Sequence, residues 1–182
     1  MPEVLTQYRV FIASPSGLEG ERKTFRDTIR DYNEMDAERR GVTFKPMGWE
    51  ATLGRMARPQ SLINDEIVIC DYFVLLLWDR WGSRPDAPGE SGYSSACEEE
   101  FELAVRCQQD VAEPMREVII FFKGVEPKML ADPGEQLQKV QAFKKKLEVS
   151  KQHHFMTFDK PEELKKFLNQ YLAQWVFIHE QD

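Results

Sequence analysis

The chain has 182 residues, 42% of them apolar and 30% charged, which suits one well-cored soluble domain. Its 24 basic against 31 acidic side chains leave a formal net charge of −7, which argues against a nucleic-acid binder driven by backbone phosphates. Three cysteines without a CxxC spacing (Cys70, Cys97, Cys107) exclude a disulfide frame and a cysteine zinc site, and read as reduced thiols in a cytoplasmic protein. The first residues lack a signal pattern, and the longest apolar run, Tyr72 to Trp78, is too short to span a bilayer.

In chain order, "YRVFIAS" (Tyr8 to Ser14) is a β-branched and aromatic run broken by "SPSG", a buried strand with a loop at its C-terminal end. A helix follows, with Leu18, Phe25, Ile29 and Tyr32 at helical spacing and Gly41 as its stop. "VTFKPMGW" (Val42 to Trp49) is a second strand, and Pro46 predicts an edge position. After the loop "EATLGRMARP", "QSLINDEIVICD" reads as a short helix. "YFVLLLW" is apolar on both faces, as a central parallel strand must be. The long polar loop "DRWGSRPDAPGESGYSS" leads into a helix that opens with Glu98, Glu99 and Glu100. Then come strand "EVIIFFK", loop "EPKMLADPGE", helix "QLQKVQAFKKKLEVS", strand "HHFMTF" (His153 to Phe158) and a closing helix with Pro161 in its first turn.

The order β-α-β-α-β-α-β-α-β-α predicts an α/β flavodoxin-like three-layer sandwich with a five-stranded parallel sheet in the order 2-1-3-4-5. The expectation is one domain over residues 1–182, belonging to the N-terminal part of a longer protein. Ligands of such sheets bind beyond the carboxyl ends of the strands at the topological switch point, here between strands one and three. "SPSG" and the long polar loop meet there. That loop is about three times the usual βα length, and long loops in compact domains are often functional.

At about 100° per residue, Cys97, Phe101, Ala104 and Val105 form the apolar face of the glutamate helix. Glu99 points opposite, to solvent, while Glu98 and Glu100 flank the stripe. Acidic side chains also favour a helix N-terminus for macrodipole reasons alone, so Glu98 and Glu100 stay open as candidates on this ground.

"RVFIASPSGLEGER", "CDYFVLLLWDRWGS" and "SGYSSACEEEFELA" resemble Toll/interleukin-receptor-like (TIR-like) domains, and in particular the branch catalogued as a domain of unknown function at the N-terminus of NTPase and repeat proteins. The likeness runs from about Tyr8 to Trp175; its elements are Ser14-Pro15-Ser16, Leu18-Glu19 with Glu21-Arg22, Arg80-Trp81-Gly82, and Glu100-Phe101 before Ala104. Pro15, and Trp81 in place of tyrosine, depart from the pattern. Enzymatic TIR domains carry their catalytic glutamate in a Cys-x-x-Glu near the start of this helix, and Cys97-Glu98-Glu99-Glu100 selects Glu100, with Glu98 as the alternative.

The resemblance implies hydrolysis or cyclisation of NAD at the nicotinamide–ribose bond, in a bacterial immune or signalling setting, with self-association for activity. It implies NAD as substrate rather than a cofactor, and no nucleic-acid or membrane partner. Two other readings are a non-catalytic adaptor that acts by self-association and an enzyme like the nucleoside deoxyribosyltransferases. Nicotinamide leaves as a neutral ring from a cation, so a carboxylate near the anomeric carbon is needed more than an acid, and a helix N-terminus favours the ionised form. Ser14 and Ser16 are candidates to hold phosphate oxygens with backbone N–H groups, Arg80 to pair a phosphate, Trp81 or Trp49 to stack on a ring, and Ser94 to join the same substrate-binding set. Against these stand plainer readings: Ser16 as a helix cap, Arg80 in a surface ion pair, Trp81 in the core. His153 and His154, adjacent on a strand, would point to opposite faces and cannot easily share a metal. No P-loop, GxGxxG or GxSxG is present.

Overall fold

A computed structural model describes residues 4–48, 60–83 and 92–180. Five strands form one sheet: β1 (Thr6–Ala13), β2 (Val42–Met47), β3 (Tyr72–Leu77), β4 (Glu117–Lys123) and β5 (Phe155–Phe158). The order is β2-β1-β3-β4-β5 and every pairing is parallel, with Val10 opposite Tyr72 and Tyr72 opposite Glu117. Pro46 sits in β2, an edge strand, where a missing N–H costs no central ladder bond.

The helices are α1 (Glu19–Tyr32), α2 (Gln60–Val68), α3 (Ala96–Gln109), α4 (Pro127–Ala131), α5 (Glu135–Ser150) and α6 (Pro161–His179). After α1 the chain continues through a π turn at Asn33–Ala37 and a 3-10 turn at Glu38–Arg40. It stops at Gly41, whose φ of 77° is the left-handed conformation glycine adopts freely.

Alternation along β3 sorts the core into two layers. Tyr72, Val74 and Leu76 pack with Phe25 of α1 and Leu168 and Trp175 of α6. Phe73, Leu75 and Leu77 pack with Phe101 and Ala104 of α3 and Phe143 and Leu147 of α5. All six β3 residues are buried, so the strand reads as a continuous apolar run.

The fold differs from the sequence expectation in several details; β1, for one, starts at Thr6 rather than Tyr8. Residues Pro127–Ala131, expected as loop, form the short α4, with proline at its first turn. The last strand begins at Phe155, so His153 and His154 precede it; the His153 ring sits edge-on to Phe101, 5.5 Å between centroids.

Candidate functional site

The loops after β1 and β3 meet at the start of α3. Gly82 lies between them: a methyl on its α-carbon would come within 3.6 Å of Ser95 Cβ, 3.8 Å of Cys97 Sγ and 3.9 Å of Pro15 Cβ. Those are ordinary contacts; its φ of 102° is what requires glycine. Gln136 Oε1 at the start of α5 accepts from the Trp81 and Gly82 N–H groups, at 3.0 and 3.1 Å, and fixes this turn.

Helix α3 is capped by Ser95, whose buried Oγ accepts from Glu98 N–H at 3.1 Å. Glu98 Oε2 in turn accepts from Ser94 N–H and Ser94 Oγ, at 2.6 and 2.7 Å. This is a capping box displaced by one residue, and it commits Glu98 to holding the helix start. Ser94 Oγ also accepts from the Trp81 indole N–H at 2.7 Å.

Glu100 is different. Only 8% of it is exposed, and burial pushes its carboxyl up to about 7. A hydrogen bond from Gln60 opposes that shift, and the charge of Glu99 adds to it. Gln60 Nε2 donates to Glu100 Oε1 at 3.3 Å and to Asn64 Oδ1 at 3.1 Å, and Asn64 Nδ2 donates to Glu99 Oε1 at 2.8 Å. Two amides on α2 thus face two carboxylates on α3. Glu99 does not point to solvent, as the helical wheel implies, because α2 covers that side; among the described residues its buried Oε2 has no hydrogen-bond partner. Nor does the helix N-terminus keep Glu100 ionised. It is the fifth residue of α3, past the first turn where the dipole acts, and burial dominates.

Cys97 lies beside this carboxylate. Burial holds its thiol well above the usual range, and the charge of Glu100 raises it further while Arg22 opposes. It is an inert, buried thiol, as are Cys70 and Cys107 in location.

The other predicted residues separate into two groups. Ser14 and Ser16 each accept from an arginine: Ser14 Oγ from the buried Arg22 at 2.7 Å, and Ser16 Oγ from the exposed Arg80 at 3.3 Å. Ser16 is not the cap of α1, whose N-cap is Leu18; instead Gly17 N–H donates to Glu19 Oε1 at 3.0 Å. Arg80 therefore crosses from the β3 loop to the β1 loop, and its contact with Asp79 is long, at 4.0 Å. Trp81 is 5% exposed and its ring packs on Phe143, so in this conformation it is core rather than a stacking platform. Trp49 lies outside the described residues. Sequence reasoning missed Gln60, Asn64 and Arg22. A polar pair four apart on the short helix ahead of β3 was the available signal for the first two.

Among the described residues no group of three or more His, Cys, Asp or Glu is placed to hold a metal ion, and no helix is long and apolar enough to cross a membrane.

A family model described as "Domain of unknown function (DUF4062)" matches residues 9–173. The chain belongs to this family. The match takes in all five strands apart from the first residues of β1, and so covers both loops of the switch point and α3. No curated protein matches the chain.

Proposed function

We propose that this DUF4062 domain is a TIR-like effector that cleaves the nicotinamide–ribose bond of NAD or a related nucleotide, with Glu100 as the catalytic residue. The observation that carries the reading is Glu100 itself: a buried carboxyl with a pKa of about 7, on the helix whose start meets the loops after β1 and β3, where Glu98 and Glu99 are held by Ser94 and Asn64. A carboxylate kept in so unfavourable a place is a functional-site signal.

The step balances simply. The C1′–N bond breaks and its electron pair neutralises the pyridinium nitrogen, so nicotinamide leaves uncharged. Water captures the oxocarbenium-like ribosyl centre and loses a proton. As a carboxylate, Glu100 stabilises that centre; with a pKa near neutrality it also suits the proton of the attacking water. Ser14, Ser16 and Arg80 remain the proposed phosphate contacts. The supporting feature is that Arg80 and Ser16 are exposed and already adjacent. The implied setting is signalling or immunity, with self-association for activity.

A substrate panel tests the assignment. The protein, artificially clustered, is given NAD or a free 2′-deoxynucleoside with an acceptor base. Release of nicotinamide from NAD supports the reading. Base exchange on the nucleoside alone assigns a deoxyribosyltransferase-like enzyme, and turnover of neither assigns a self-associating adaptor.

A further inference from the structure

A cavity of about 360 Å³ opens beyond the carboxyl end of β4, between α4 and α5, and Glu100 is not part of its lining. Phe122, Leu130, Leu137 and Val140 give it an apolar lining, and Trp78 closes one side. Its charged lining is three ammonium groups, Lys123, Lys144 and Lys145, against a single carboxylate, Glu148, with Gln141 and Thr157 as neutral polar neighbours. On a chain of net charge −7 this is a locally positive mouth.

The three lysines are not equivalent. Lys123 is committed to the buried Glu21 and lies over the Trp78 ring, 4.3 Å from its centroid. Lys145 is exposed. Lys144 is half-buried, and its Nζ is held over the faces of Phe122 and Phe155, 5.4 and 5.5 Å from their centroids. Among the described residues it has no ion pair, although Glu148 stands one turn along the same helix. A partly desolvated cation beside an apolar cavity gains most from an anion whose body fills that cavity.

We infer that this cavity binds a small molecule with an apolar body and one carboxylate, with Lys144 taking the charge and the Phe122–Leu130–Val140 lining taking the body. The volume lies at the small end of ligand sites, which favours a medium-chain or single-ring acid over a nucleotide. The site is independent of the NAD reading and stands or falls without it.

The test is calorimetric titration of the full chain with octanoate, and with octan-1-ol as the uncharged analogue. Saturable octanoate binding is expected, weakened about tenfold in Lys144→Gln and unchanged within about twofold in Lys145→Gln. Leu130→Trp, at a half-exposed lining position, should abolish it with every charge intact. Absence of saturable binding in wild type overturns the inference. So does equal affinity for octanol, or an undiminished affinity in Lys144→Gln. Chemical shifts of the Lys144 ε-methylene on addition of octanoate give a readout that a general loss of stability would not mimic.

Discussion

At the scale of single residues, Glu100 opposes the stability of the fold it sits in. Its carboxyl titrates near 7 in the folded state against 4.5 as a free side chain. The folded chain therefore binds the extra proton between those values, and stability falls as pH rises from about 4.5 to about 7, then levels. The difference corresponds to something on the order of 3 kcal/mol above pH 7. Glu100→Gln keeps the size and the acceptor for Gln60 and removes the charge. It should match wild type near pH 4.5 and exceed it in urea midpoint at pH 8. Equal midpoints at pH 8 would show that Glu100 is not desolvated in the folded protein. A stabilising substitution at a catalytic carboxylate is the usual signature of a stability–activity trade-off.

At the scale of elements, the period of the apolar residues was enough to place all five strands and the five long helices, because each buries one face or both against the sheet. The misses have local causes. Helix α4 is five residues, too short for a period to register, and it lies among Pro, Asp and Gly. The start of β5 was placed two residues early because two histidines ahead of an aromatic run carry no boundary signal. The direction of Glu99 was misjudged because a wheel describes one helix and cannot say that α2 covers its far side. The importance of Gln60 was invisible for the same reason: its partner is 40 residues away. Capping, by contrast, was half legible. Acidic residues at a helix start are expected, yet only the structure separates Glu98, which holds Ser94, from Glu100, which does not. Removing the cap tests this division. Ser95→Ala should cost about 1 kcal/mol of stability, read from urea unfolding, by freeing the Glu98 N–H. A neutral result would mean that α3 starts without that bond.

At the scale of the molecule, a charged tie at the carboxyl edge of the sheet links the sheet to α1. Glu21 of α1 pairs with Lys123 at the end of β4, 102 residues away, with side chains 8% and 21% exposed. Glu21→Ala leaves the ammonium without its partner in a mostly apolar place and should cost about 3 kcal/mol. Adding Lys123→Met should recover most of that loss, whereas a double variant as unstable as the single would show that Glu21 acts through packing. The fold itself was legible because strand order follows from βαβ alternation and chain length. The surroundings of the glutamates were not legible, because their partners on α2 are 35 and 40 residues away in the chain.

The most direct measurement is NAD consumption by the domain at high concentration, across pH 5 to 9, for wild type and Glu100→Gln. Wild-type turnover should rise through about pH 7 as Glu100 ionises, and Glu100→Gln should lose it while folded by circular dichroism. Turnover undiminished in Glu100→Gln would remove this carboxylate from the mechanism and contradict the account.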